Sequence, residues 1–199
     1  ILAFAAGEFD MTFVTDVSIP LLKDVNAKAP KAVCKVVPTG VTTNLIVNAG
    51  AAPFDNPKIR TAMALTIDRQ AFIDILSEGK FQLGTAMLAA PEGRWAMPEE
   101  MMKSIPGYNP DVEANRAEAR KIMEELGYTK DKPLKMKVST RNIAIYRDPA
   151  VIMIEQLKAI NIEAVVLVIE TSLWVAKVAR MDYQVGLNMT GVGVDFREV

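Results

Sequence analysis

Residues 134–169 read LKMKVST RNIAIYRDPA VIMIEQLKAI NIEAVVLVI, and this stretch decides the fold class. Residues 134–139 alternate between apolar and polar side chains, as a strand does. Residues 146–160 carry apolar side chains at helical spacing, and residues 162–169 form an almost wholly apolar run of strand length. Such a run predicts a strand that is buried on both faces. A strand, a helix and a second strand in this order predict an α/β fold.

The flanking sequence continues the alternation of helices and strands. Capping residues and terminal glycines or prolines predict further helices over residues 1–6, 18–29, 57–67, 69–78, 112–126 and 172–180. Short apolar stretches predict further strands over residues 9–14, 33–37, 42–48 and 183–187. Residues 83–98 contain two glycines and two prolines and are predicted to be mostly loop. The whole chain is therefore predicted to be one α/β lobe, a mixed sheet flanked by helices.

Composition excludes several classes of function. The 199-residue chain carries a net charge of −1, whereas a protein that grips nucleic acid needs a basic face. It contains no histidine and one cysteine, Cys34, which excludes Ser-His-Asp catalysis, histidine zinc sites and an intrachain disulfide. No nucleophile, base and orienting group can be combined from the remaining residues. We therefore predict a protein that is not an enzyme and holds no metal or cofactor.

The most informative candidate site follows the last predicted strand. There the sequence reads Gly191-Val192-Gly193-Val194-Asp195. Two glycines let backbone amides approach a ligand closely, and ligands of open α/β sheets bind outside the carboxyl ends of the strands. A dinucleotide fingerprint would need a third glycine, which is missing. A Gly-rich turn with a solvated or capping Asp195 is the alternative that the residues leave open.

Other candidate residues carry weaker signals. Trp174 precedes the last strand, and an indole beside a cleft is a good stacking platform, although most tryptophans only pack. Trp95 has the same two interpretations. Asp68 is expected to cap a helix, and Cys34, in a predicted strand, is expected to be a small buried apolar residue.

An ordered series of motifs resembles one known family. Residues 53–69, PFDNPKIRTAMALTIDR, are similar to the pattern PFxDxRVRxAxxxAIDR of the family 5 extracellular solute-binding proteins of ABC importers, the dipeptide, oligopeptide and nickel-binding type. In the family's order, similar motifs occur at residues 6–10 (AGEFD), 106–128 (PGYNPD through GY), 155–162 (EQLKAINI), 181–183 (MDY) and 191–196 (GVGVDF).

The resemblance implies a two-lobed periplasmic binding protein of type II, similar to cluster C, of which residues 1–199 would be the second lobe, without the N-terminal lobe and the C-terminal return. It implies a ligand site in the cleft between the lobes, in which Asp195 pairs with the α-ammonium of a peptide. Val192, Gly193, Val194 and Trp174 would line that cleft. Val192 stands where the family usually has Trp, and Arg197-Glu198 replaces its usual Pro-containing stretch.

The resemblance further implies a monomeric receptor that delivers its solute to a membrane permease and ATPase complex. Its place would be the periplasm, or the outer surface of a Gram-positive cell as a membrane-anchored protein. Family members also carry nickel, haem or sugars, so the ligand class stays open. Two alternatives remain: a fragment of an α/β enzyme whose catalytic groups lie elsewhere, and a receptor that passes its ligand to a chemosensor.

Overall fold

Four strands form one mixed sheet in a computed structural model that describes residues 1–12, 16–36, 41–84 and 97–191. The strands are β1 (Val41–Val47), β2 (Leu134–Arg141), β3 (Ile162–Ile169) and β4 (Val185–Gly191), in the order β1-β4-β2-β3. β2 lies parallel to both β3 and β4, whereas β1 runs antiparallel to β4 with Val41 opposite Gly191. The predicted mixed α/β sheet is therefore confirmed.

Helices precede β1 and occupy the connections between the strands. Their bounds are α1 Leu2–Ala5, α2 Leu22–Lys28, α3 Pro57–Thr66, α4 Arg69–Ser77, α5 Glu99–Met102, α6 Val112–Glu125, α7 Ala144–Leu157 and α8 Thr171–Ala179, with short 3₁₀ turns at Ile19–Leu21 and Lys158–Ile160. None of the helices in the described part of the chain has both the length and the apolar character needed to cross a membrane.

Side-chain caps set the starts of three helices, as the sequence predicts. The side chains of Asn56, Asp68 and Asp111 each accept a hydrogen bond of 3.0 Å from a backbone N–H in the first turn of α3, α4 and α6. The sequence also predicts Ser172 as the cap of the following helix, and this prediction is wrong, because α8 begins at Thr171 with Glu170 as the capping residue.

One apolar core lies between the sheet and a layer formed by α3, α6 and α7. Its fully buried members come from all parts of this layer and include Phe54, Met63, Met123, Met153, Leu157, Val138 and Val185. α8 covers part of the opposite face, where the ring of Trp174 lies against Gly186. A Cβ at Gly186 would lie 3.3 Å from that ring, so the glycine permits this close approach.

Two predicted strands are absent from the described residues. Residues 9–12 and 33–36 are irregular, and Cys34 is exposed rather than buried. Alternation supplies an apolar face, but a strand also needs a neighbour that satisfies its backbone hydrogen-bonding groups. Neither segment has such a neighbour in the part of the sheet that the structure describes.

The prediction that residues 162–169 are buried on both faces is also wrong. β3 is an edge strand, and the side chains of Val165, Leu167 and Val168 are exposed. The sequence also predicts that Phe72, Ile75 and Leu76 form the apolar stripe of α4, but Ile75 faces solvent while Ile73 and Ser77 are buried.

Candidate functional site

The carboxyl edge of the parallel strands is where a ligand site is expected. β2, β3 and β4 all point their carboxyl ends to this edge, and antiparallel β1 begins there. In open α/β sheets the loops that leave this edge form the binding crevice. Arg141 ends β2, and β4 ends at Gly191.

Arg141 and Tyr146 form a stacked pair at this edge. The guanidinium carbon of Arg141 lies 4.5 Å from the centre of the Tyr146 ring, and its Nη1 donates a 2.8 Å hydrogen bond to the Tyr146 hydroxyl. The neighbouring Thr140 hydroxyl donates to the Tyr146 carbonyl over 3.0 Å. Tyr146 is buried at the start of α7. The end of β2 and the first turn of α7 therefore hold the guanidinium in place.

The charge of Arg141 has no counterion in the described part of the chain. The side chain is half-buried, and its Nε is a buried donor without a hydrogen-bond partner among those residues. Leaving a buried donor unpaired costs about 1–3 kcal/mol, more when the group is charged. A guanidinium offers planar, paired donors that match a carboxylate. The arrangement is suited to bind an anionic group.

The structure places Trp174 beneath β4 rather than on an open surface. Its side chain is 3% exposed, and the indole N–H donates to Oδ1 of Asn188 over 3.2 Å. Asn188 lies opposite Asn44 in the β1–β4 ladder, close to the end of β4. Contact between Trp174 and a ligand stays a prediction, and its observed partner is Asn188.

The remaining predicted ligand residues lie outside the described residues. These are Val192, Gly193, Val194 and Asp195, which follow Gly191 in the sequence; Trp95 also lies outside. The structure therefore does not test whether they meet Arg141. Glu8 and Asp10 are exposed.

Arg69 makes a second stacked pair far along the chain from Arg141. Its guanidinium carbon lies 4.2 Å from the centre of the Tyr108 ring. Its Nη1 donates to the carbonyl oxygen of Gly107 and also, over 3.3 Å, to the carbonyl oxygen of Ile67. Burial lowers the pKa of the Arg69 guanidinium, while Tyr108 acts in the opposite direction. This arginine ties the loop at Gly107 to the start of α4.

Two of the motif segments also contact each other. The Gln156 side chain accepts a 2.8 Å hydrogen bond from the N–H of Asp68 and donates one of 3.2 Å to its carbonyl oxygen. Asp68 ends the 53–69 motif and Gln156 lies in the 155–162 motif. These matching residues are thus explained by packing between α7 and the junction of α3 and α4.

The described residues show no metal centre. Among them, no group of three or more His, Cys, Asp or Glu side chains could hold a metal ion.

Sequence reasoning overlooked Arg141 and Tyr146. The available signal was a basic residue between a predicted strand and a predicted amphipathic helix, which is the position of the ligand edge in an α/β unit. The predicted strand ends at residue 139 and the predicted helix begins at residue 146, so Arg141 lies between the two elements and belongs to neither.

Comparisons with known proteins agree on one family. The family model described as bacterial extracellular solute-binding proteins, family 5 (middle), matches residues 1–196. The periplasmic oligopeptide-binding protein OppA of Haemophilus influenzae is 33% identical over 140 residues, which are 68% of this chain and 24% of that protein. The OppA of Salmonella typhimurium is 27% identical over 132 residues, 66% of this chain and 23% of that protein.

Solved structures show the same fold. The crystal structure of H. influenzae OppA in complex with RPPGFSPFR matches with a TM-score of 0.79 and 24% identity, covering 96% of this chain and 37% of that one. The peptide-bound DppA of Helicobacter pylori matches with a TM-score of 0.74 and 18% identity, covering 99% and 35%. The chain thus spans about a quarter of the length of the curated relatives that it matches.

Proposed function

Because the chain belongs to the family 5 extracellular solute-binding proteins of bacteria, we propose that it is part of a receptor for peptides or peptide-like solutes. The receptor captures its solute in a cleft between two lobes and delivers it to an ABC permease and ATPase complex in the membrane. Residues 1–199 form one of the two lobes.

The unpaired Nε of the Arg141 guanidinium is the observation that supports a peptide-like ligand most directly. A peptide with free ends carries one ammonium and one carboxylate, and each needs a partner of opposite charge when water is excluded. Arg141 lies at the carboxyl edge with a buried, unpartnered Nε. We assign the ligand carboxylate to Arg141 and the ligand ammonium to Asp195.

The names of the relatives support the same ligand class. Both curated relatives are called oligopeptide-binding proteins, and two matched structures hold peptides. In the proposed site, the backbone of Val192, Gly193 and Val194 lines the cleft beside Asp195. Trp174 supports this wall from beneath through Asn188.

The proposal also concerns location and assembly. The receptor acts in the periplasm, or outside the cell as a membrane-anchored protein, and it acts as a monomer. It carries no resident cofactor and catalyses no reaction, in keeping with a family of solute-binding proteins. Both lobes are needed for full affinity, because each supplies part of the cleft wall.

Binding of peptides by the full-length protein tests the proposal. The protein is incubated with a tryptic digest of casein, the retained peptides are identified by mass spectrometry, and the most abundant one is synthesised for calorimetry. Asp195→Asn should weaken its binding by at least about tenfold, because it removes a charge-assisted bond worth about 1.5–3 kcal/mol.

Asp131→Asn is the matched control, since Asp131 is exposed in the turn before β2 and should leave affinity unchanged. Failure of the protein to retain any peptide would contradict the ligand class. Equal affinity of the Asp195→Asn variant would contradict only the role of Asp195.

A further inference from the structure

A large cavity lies beside the Arg141–Tyr146 pair, between α7 and the strands β1 and β4. Its volume is about 2350 Å³, and its lining includes Tyr146 together with Val41 and Thr43 at the start of β1. β1 begins at the carboxyl edge of the sheet, and both of these residues of β1 are exposed there. The cavity is therefore open at the same edge at which the ligand site is proposed.

Apolar side chains line the part of the cavity between α7 and β4. β4 contributes Leu187 and Met189, and α7 contributes Ile145 and Ile152. Leu187 is buried, whereas the other three side chains are half-buried and keep part of their apolar surface uncovered. Ligand pockets are concave and mainly apolar, with a few polar groups that fix the orientation of the ligand. This part of the cavity therefore favours an apolar group as its occupant.

Tyr146 connects this apolar wall with Arg141. It lines the cavity, and the guanidinium carbon of Arg141 lies 4.5 Å from the centre of its ring. The tyrosine hydroxyl accepts the 2.8 Å hydrogen bond from Nη1, while Nε of Arg141 has no partner among the described residues. A donor for a carboxylate and a surface for an apolar group are thus joined through one aromatic side chain.

We propose that the receptor selects peptides whose C-terminal residue has an apolar side chain, and that this side chain enters the cavity while the carboxylate binds Arg141. The inference rests on the proposed function and specifies its ligand class more closely. A C-terminal residue carries its carboxylate and its side chain on one Cα, so the two groups need neighbouring surfaces. Arg141 and the wall at Ile145 and Met189 meet this requirement through Tyr146. Removing apolar surface from water then adds to the affinity that the carboxylate provides.

The charges along this part of the cavity do not favour a basic C-terminal side chain. Asp148 is the charged residue that α7 contributes to the lining, and it is exposed and lies 3.6 Å from Nε of Arg147. The described side chains of β1 and β4 in the lining are all uncharged. An exposed carboxylate that already has a counterion gains little from a second one. A lysine or arginine at the end of the peptide would therefore place its charge against an apolar wall without a strong partner.

Two digests of casein test the inference on the full-length protein. Trypsin leaves peptides that end in lysine or arginine, whereas chymotrypsin leaves peptides that end in phenylalanine, tyrosine, tryptophan or leucine. The protein is incubated with equal amounts of both digests, and mass spectrometry identifies the retained peptides, of which we expect a large excess to be chymotryptic. The most abundant one is then resynthesised with a C-terminal asparagine, and calorimetry should show about a tenfold loss of affinity.

Variants of the cavity wall connect this preference with the cavity. Met189→Gln should weaken binding of the apolar-ended peptide by about fivefold and leave binding of the asparagine-ended peptide almost unchanged, because it alters only the wall. Ile145→Thr is a second variant with the same expected pattern, and circular dichroism checks that both variants are folded. Met101→Gln changes an exposed methionine of α5 outside the cavity lining and should bind like the unchanged protein.

The outcomes separate the inference from the proposed function. Equal shares of peptides from the two digests, or equal effects of Met189→Gln on both synthetic peptides, would overturn the inference and leave the proposed function intact. An excess of tryptic peptides would overturn it in favour of a basic side chain at Asp148. Retention of no peptide from either digest would contradict the proposed function itself, and the inference with it.

Discussion

Two arginines stack on tyrosines in the described part of the chain, and their hydrogen bonds differ. Arg69 lies over Tyr108 and donates to two backbone carbonyls, of Gly107 and Ile67. Arg141 lies over Tyr146 and donates to the tyrosine hydroxyl, while its Nε has no partner among the described residues. The hydrogen bonds of Arg69 go to the backbone of the protein itself, whereas Arg141 keeps one donor, its Nε, without a partner among the described residues.

We interpret this difference as one between a residue that stabilises the fold and a residue of the same type that is proposed to bind a ligand. Buried donors are nearly always paired in folded proteins, so an unpaired one needs an explanation. In the proposed function, a ligand carboxylate at the carboxyl edge supplies that explanation for Arg141. The comparison therefore predicts opposite effects of matched substitutions on stability and on binding.

The largest expected effect comes from a substitution at Gly107, whose carbonyl oxygen accepts a hydrogen bond from Arg69. Gly107 has a φ of +85°, and a Cβ there would overlap the carbonyl oxygen of Ala64. Gly107→Ala should lower the free energy of unfolding by about 3 kcal/mol, because it adds left-handed strain and displaces the loop from Arg69. Denaturant unfolding measures this loss. Gly127→Ala, at a φ of +87° with open space around it, is the control for strain without overlap.

Removing the Arg69 side chain should have the next largest effect. Arg69→Met retains an apolar stem but loses the bonds to the Gly107 and Ile67 carbonyls and the stacking on Tyr108. We expect a decrease of about 2–3 kcal/mol in the free energy of unfolding. The affinity for peptide should not change when it is measured under conditions in which the variant is fully folded. A variant as stable as the unchanged protein would show that this pair does not hold the loop.

Arg141→Met should give the opposite pattern. The substitution removes a buried unpaired donor together with one hydrogen bond, so the free energy of unfolding should change by at most about 1 kcal/mol. Affinity for a peptide with a free carboxylate should fall about tenfold, equivalent to about 1.4 kcal/mol. Unfolding curves and calorimetry on the same preparation compare the two effects. Strong destabilisation with unchanged affinity would place Arg141 in the same class as Arg69.

Tyr146→Phe should have the smallest effect. It keeps the ring under Arg141 and deletes the hydroxyl that accepts from Nη1 over 2.8 Å. The guanidinium then loses its orientation but keeps its charge, so affinity should fall by a few-fold, about 0.5–1 kcal/mol. Calorimetry with the same peptide measures the change. A loss as large as that of Arg141→Met would show that the tyrosine hydroxyl itself contacts the ligand.

The comparison of these regions also shows what the sequence could and could not predict. Local signals were sufficient where a side chain accepts a hydrogen bond from a backbone N–H two or three residues later, as at Asn56, Asp68 and Asp111. Alternation was insufficient over residues 9–12 and 33–36, since strand formation depends on a distant partner. Apolar composition predicted a buried β3, but strand order, which composition does not encode, placed it at the edge.

The candidate site also contains residues that the sequence indicated and residues that only the structure revealed. The family motifs indicated Asp195 and its neighbours, which lie outside the described residues. Arg141 lies in none of the family motifs. Its proposed role depends on the unpaired Nε and on the stacked ring of Tyr146, which only the three-dimensional structure shows. The hydrogen-bond partners of Arg69 and Arg141 separate the structural role of the first from the role proposed for the second, and the sequence alone does not show these partners.

A double-mutant cycle tests the central claim, that Arg141 binds the ligand carboxylate. Calorimetry compares one bound peptide and its C-terminal amide on the unchanged protein and on Arg141→Met. We predict that amidation weakens binding to the unchanged protein by about tenfold and has almost no effect on the variant, a coupling of about 1.4 kcal/mol. Equal losses on amidation in both proteins would contradict the claim, because the carboxylate would then have another partner.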